Sequence, residues 1–159
     1  MSLQFCIALT TGLLSGLWFW AATGLGLLVW AGFLGSTTFF TSPAEGIKGL
    51  SLSFICNMSG VFWAMLIMYS SDFFTINFAS VIITALAAFF MCLQAKQKLL
   101  KFVPGTFIGA CATFAADGNW KIVALSLTGG LLMGYFMKTS GIWLYEINRR
   151  SGRLNKKTT

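Results

Sequence analysis

The chain contains no histidine, and only four of its 159 residues are acidic. Without imidazole there is neither a histidine base for a nucleophile nor a histidine ligand for a metal. The four cysteines, Cys6, Cys56, Cys92 and Cys111, lie far apart inside apolar stretches, whereas metal and redox sites use close C-x-x-C or Cys/His spacing. They read as reduced packing thiols, so no metal and no cofactor is expected. Charge as a whole is scarce: 9% of residues are charged, against about 25% in soluble domains. None of it precedes Glu45, and none lies deep within an apolar run. A mid-membrane charge costs at least about 2.5–3.5 kcal/mol and usually serves an ion or proton pathway. Its absence weighs against a proton-coupled pump, a voltage sensor or a redox carrier. The start, MSLQFCIALT, lacks a basic segment and a small-x-small site, so no cleavable signal is expected. With no base, nucleophile or metal set in view, an enzyme is not expected either.

What the chain has is apolar length. Hydrophobic residues make up 57% of it and the mean hydropathy is +0.78, the composition of an integral membrane protein. The net charge of +7 sits at segment ends and in the tail, which reports orientation in a bilayer and not nucleic-acid binding.

Six membrane segments are predicted, at 3–22, 25–41, 50–69, 73–95, 102–118 and from 122 through 137. The first break falls at Thr23-Gly24-Leu25-Gly26, flanked by Trp18, Trp20 and Trp30 as an interfacial aromatic belt. Ser42-Pro43 to Gly49 forms a turn, and Ser70-Ser71-Asp72 a short polar loop. The fourth segment, 73–95, is the longest and carries no charge. Lys96, Lys98 and Lys101 form a basic loop, and Lys138 is expected to snorkel to the interface. Residues 1–145 form one transmembrane domain, and 146–159 a basic tail expected to be unstructured from Asn148.

The fifth segment, FVPGTFIGACATFAADG, is the anomaly. Between Pro104-Gly105 and Asp117-Gly118 it offers only about 13 residues, roughly 20 Å of helix, where the hydrocarbon core is about 30 Å thick. Its centre, FIGACATF from Phe107, matches FLGSTTFF from Phe33. In the register that sets Phe33 on Phe107, Val29 falls on Val103, Gly60 on Gly134 and Phe62 on Phe136. Paired short, Gly/Pro-interrupted segments in two halves point to a transport site. The expected fold is therefore an all-α membrane protein built as a 3+3 inverted repeat, with halves of about 3–70 and 73–145. The second and fifth segments are expected to be broken or half-spanning. Three segments per half is an odd number, so the second half inserts upside down. Lys and Arg concentrate in loops 42–49 and 96–101 and in the tail, against Lys121 alone on the other face, which places both termini in the cytoplasm.

The residues available to line a path are Phe33, Gly35, Thr37, Phe40, Asn57, Pro104, Thr106, Phe107, Gly109, Thr113 and Phe114. The hydroxyls of Ser36-Thr37-Thr38 fall inside the recurring octet. The four phenylalanines could form paired constrictions, or pack in the core or against lipid. Asn57 is the most demanding side chain, because an unpaired amide in hydrocarbon is costly. It reads either as a pore-lining hydrogen-bonder or as an interhelical bond. Gly12/Gly16 and Gly105/Gly109 have GxxxG spacing, with Gly32 and Gly35 nearby, suited to close helix packing or to a helix break.

The strings VWAGFLG at 29–35 and FVPGTFIGACATFA at 102–115, followed by Gly118-Asn119-Trp120-Lys121 and MGYFMK at 133–138, resemble the YcdZ-like family of uncharacterised bacterial inner-membrane proteins. The resemblance extends over about residues 5–145. It implies a small multi-span protein of the bacterial inner membrane and brings no catalytic residues with it.

Two functions fit these readings. One is a small passive channel or facilitator, homo-oligomeric, for a small neutral or weakly charged solute. The other is a structural or accessory membrane protein that oligomerises and presents its basic tail to a partner or to anionic lipid. The expected partners are the lipid bilayer, further copies of the chain and a small solute, not nucleic acid.

Overall fold

The computed structural model describes the backbone of residues 2–73 and 77–155 and the side chains of 2–70 and 80–150. Among these residues the chain is all-helical. The α-helices are α1 (Leu3–Gly24), α2 (Val29–Phe40), α3 (Gly46–Phe73), α4 (Asn77–Leu93), α5 (Val103–Ala115) and α6 (Trp120–Asn155), with a 3₁₀ turn at Gln94–Lys96. Three stretches are long and apolar enough to cross a membrane: Leu3–Gly24, Gly46–Ser70 and Trp120–Arg150. α2 and α5 have 12 and 13 residues, roughly 18–20 Å.

The local chemistry explains the ends. Ser2 caps α1 by accepting from the Phe5 N–H at 3.2 Å. Gly26, at φ +67°, closes its far end, where the Leu27 N–H reaches the Ala22 carbonyl at 2.8 Å. This is the αL termination that glycine allows. Pro104 stands in the first turn of α5, where its missing N–H and fixed φ cost nothing.

Several expected boundaries move. α2 and α5 are short but unbroken: their glycines serve packing and do not interrupt the backbone. Ser70, Ser71 and Asp72 continue α3 and are not a loop, while 74–76 lie outside the described residues. The fourth segment, expected to be the longest, forms a 17-residue helix that tightens into the 3₁₀ turn at Gln94. The tail expected to be unstructured from Asn148 continues α6 as far as Asn155.

Contacts fix the helix directions. Thr10 donates to the Met137 carbonyl at 2.9 Å, Gly141 abuts Ile7, and Gly129 abuts the Trp18 ring. α1 and α6 are therefore antiparallel. Trp63 stacks on Phe90 and Ser59 bonds Gln94, making α3 and α4 antiparallel. α2 runs parallel to α6, since Gly32 meets Gly130 and Ser36 meets Gly134; α5 runs parallel to α3, since Gly105 meets Cys56 and Ala110 meets Gly60. α3 and α6 cross antiparallel, with Val61 in one apolar cluster with Val123 and Leu127 and Phe54 sharing a groove with Leu131. Thus α1, α3 and α5 point one way and α2, α4 and α6 the other.

This arrangement gathers 41–45, 94–102 and the C-terminal part of α6 at one end. Lys138 Nζ ties to Glu45 Oε1 there at 3.2 Å, a short exposed pair. At the other end are 25–28 and 116–119.

Candidate functional site: the crossing of two short helices

The helices of the second half begin in the register of the recurring octet: Asn77 answers to Leu3, Val103 to Val29 and Trp120 to Gly46. The short helices also bury the same positions. From Ala31 to Phe40 and from Gly105 to Phe114, buried and exposed residues follow one order. Their inner faces carry Gly32, Gly35 and Ser36 in α2, and Thr106, Gly109 and Ala110 in α5.

These faces pack across the halves. A Cβ on Gly130 would fall on the Gly32 carbonyl, and one on Gly60 on the Thr106 carbonyl; a Cβ on Gly35 would fall on the Leu127 carbonyl, and one on Gly109 on the Asn57 carbonyl. Every pair has its counterpart, but the equivalence in the long helices is Gly60 with Gly130 and Asn57 with Leu127. That register is one helical turn short of the one that aligns Gly60 with Gly134. A shift of one turn keeps the same helix face inward, which is why both alignments look acceptable in sequence.

The helix starts match too. Ser126 Oγ accepts from the Leu28 N–H at 2.9 Å, and Cys56 makes the corresponding contact with the backbone of Phe102. The Ser126 hydroxyl thereby satisfies an orphan donor at the start of α2. A third correspondence joins unlike residues. The Trp18 ring fills the space against Gly32 and Gly129, its Nε1–H donating to the Val29 carbonyl at 3.1 Å. At the matching place against Thr106 and Ser59 stands Gln94. Its Oε1 accepts from Ser59 at 2.9 Å and from Trp63 Nε1 at 3.1 Å, and its Nε2 donates to Thr106 at 3.1 Å. Gln94 offers one signal in the sequence, a neutral amide at the start of a basic loop. Trp18, expected in an interfacial belt, is buried, whereas Trp20 is exposed.

The residues expected to line a path divide into two groups. Gly35, Asn57, Thr106, Gly109 and Thr113 are buried at the crossing. Phe33, Thr37, Phe40, Pro104, Phe107 and Phe114 stand on the outer faces of α2 and α5. The four phenylalanines are exposed by 40%, 37%, 40% and 40% in that order, so they do not close a constriction inside the protomer. The hydroxyls of Ser36, Thr37 and Thr38 bond back to the carbonyls of Phe33 and Leu34, and Thr113 bonds to Gly109. Cys6 and Cys56 are buried packing thiols, whereas Cys92 and Cys111 are exposed. A Cβ on Gly12 or Gly16, despite their spacing, would meet nothing within 4 Å among the described residues.

Asn57 does not make the interhelical hydrogen bond that one of its two readings expects. Its side chain is wholly buried, and neither Nδ2 nor Oδ1 has a hydrogen-bond partner among the described residues. It stands near the middle of the apolar stretch Gly46–Ser70. Ser53, one turn earlier, is buried beside it and reaches the Thr38 carbonyl at 3.4 Å. The counterparts of Thr38, Ser53 and Asn57 are Ala112, Val123 and Leu127, members of one apolar cluster. The two sides of the crossing therefore share a backbone plan and differ in polarity.

Residues 8–142 match the model of a family described as a protein of unknown function, DUF1097. The chain belongs to that family. It is 56% identical over 145 residues to the inner membrane protein YcdZ of Escherichia coli (strain K12), covering 91% of this chain and 89% of the relative. It is 53% identical to YcdZ of Salmonella typhimurium (strain LT2), covering 91% of each. A third relative, the uncharacterized protein YahC of E. coli, is 28% identical over 148 residues, 86% of this chain and 90% of that one. No solved structure matches. The names of the YcdZ relatives and the long apolar helices agree on a membrane protein, from a family without an assigned activity.

Proposed function

We propose that this protein is a passive channel or facilitator for a small neutral or weakly charged solute, acting as a homo-oligomer in the bacterial inner membrane. In this reading all six helices are membrane segments of a 3+3 inverted repeat, both termini are cytoplasmic, and the protein is not an enzyme. The observation that carries it is the crossing itself. Two helices too short to span comfortably are locked through glycine contacts onto the long helix of the opposite half, around a buried amide without a partner. Solute sites of inverted-repeat transporters lie near the bilayer midplane at the repeat interface; the place of Asn57 near the middle of Gly46–Ser70, buried at the crossing, supports such a role. The opposite senses of α1–α3 and α4–α6, and the basic residues gathered at one end, support the inversion and the orientation.

The test is flux. Purified protein in liposomes is followed by stopped-flow scattering against water, glycerol, urea, formate and acetate. The reading predicts that at least one solute crosses faster than in empty liposomes. If none does while the oligomer is intact, the accessory role takes its place. The outward aromatic faces of α2 and α5, with Trp30, Phe33 and Phe40 and with Phe107 and Phe114, offer surfaces for assembly in either reading.

A further inference from the structure

Seven polar side chains are buried among the described residues: Ser36, Thr38, Ser53, Asn57, Thr106, Thr113 and Ser126. Six of them are hydrogen-bonded. Asn57 is the exception, with one donor group and one acceptor left unpaired. A buried amide without partners is destabilising, so its presence calls for a reason other than packing. Packing gives none: the counterpart of Asn57 against the opposite glycine is Leu127, which fills that place as an ordinary core residue. An aliphatic side chain suits this fold at this position, yet the chain keeps an amide there.

We propose that Asn57 is the solute-recognition residue of the conduit, and that the solute class is a small neutral amide such as urea or a short primary carboxamide. This rests on the conduit reading and deepens it. A primary amide carries a donor and an acceptor side by side. The complement that satisfies both at once is another amide, pairing through two N–H···O bonds. A carboxylate has no donor for Oδ1 and brings a charge into a site without a cationic partner, which low dielectric penalises. The oxygens of Ser53 and Thr38, whose donors are already used, retain lone pairs for a second N–H of the same solute. Because Asn57 is wholly enclosed, a solute reaches it only when the α2 or α5 contacts loosen. Each solute must occupy the Asn57 site in turn, so flux through it saturates with concentration.

The experiment compares proteoliposomes of wild type, Asn57→Leu and Asn57→Ala, measuring urea, acetamide, water and acetate permeation together with thermal melting in detergent. Wild type is expected to carry urea and acetamide saturably. Losing a paired donor and acceptor lowers that flux by at least about tenfold in both variants. The Asn57→Leu protein is expected to melt no lower than wild type, since it exchanges an unpaired amide for the residue found at the counterpart position; Asn57→Ala keeps the test if leucine overpacks. Undiminished amide flux in intact variants overturns the role of Asn57 and leaves the conduit standing. Wild-type flux of water or acetate without amides overturns the solute class. No wild-type flux of any solute removes the conduit, and this inference with it.

Discussion

At Gly130 there is no room for one more carbon, because a Cβ would fall on the Gly32 carbonyl; at Gly35 it would fall on the carbonyl of Leu127. Backbone cannot step aside as a flexible side chain can, so Gly130→Ala and Gly35→Ala should each lower stability by about 1–3 kcal/mol or more. Gly12 and Gly16 have open space around them. Their alanine variants should melt at or above the wild-type temperature, because alanine is a better helix former by about 0.8–1 kcal/mol. Melting curves of the four variants in detergent check this, and an equal loss in all four would contradict the assignment of the seams. The sequence showed small-residue spacing at 12/16 and at 105/109 alike. Only the neighbour distinguishes them, and a neighbour on another helix leaves no mark on local spacing. Asn57 was legible as the odd residue in an apolar segment. That nothing bonds it was not legible, since partners come from helices distant in the chain.

Among the elements, α2 and α5 are held by different means: Trp18 supports α2 by bulk and Gln94 supports α5 by hydrogen bonds. Removing each should therefore fail differently. Trp18→Ala leaves a cavity against Gly32 and Gly129 and should cost about 3–5 kcal/mol. Gln94→Ala strands Ser59, Trp63 and Thr106 and should cost about 1–3 kcal/mol. Melting temperatures of the two variants measure the difference, and a negligible effect of Trp18→Ala would contradict the packing. This pairing could not be read from the chain, because unlike side chains share no pattern. The recurring octet could be read: α2 and α5 keep the same inner face, and the register of the octet survives in all three helix starts. The extent of α4 could not. Its apolar run continues to Ala95, but Gln94 is drawn in by Ser59, Trp63 and Thr106, and the backbone tightens there. α6 errs the other way, since its polar residues after Asn148 extend a helix that is already nucleated and needs no apolar face to continue.

Across the described residues, α2 packs on α6 and α5 on α3, with Asn57 buried at the crossing. Charge divides between the two ends: Lys48, Lys96, Lys98, Lys101 and Lys138 belong to the end where α2 and α4 finish, and Lys121 with Asp117 to the other. The gathering of basic residues in the loop at Lys96, Lys98 and Lys101 was readable without coordinates. Which long helix each short helix joins was not, because α2 and α5 each reach across to the partner half. The most direct measurement is labelling at equivalent positions. Cys92 and Cys111, which are exposed, are first changed to serine, along with Cys6 and Cys56. Single cysteines are then placed at Ser42 and at Ala116, equivalent in the octet's register and just beyond the ends of α2 and α5. In intact cells a membrane-impermeant maleimide should label Ala116→Cys and leave Ser42→Cys unlabelled until the membrane is opened. Labelling of both positions from the same side would contradict the inversion and the path built on it.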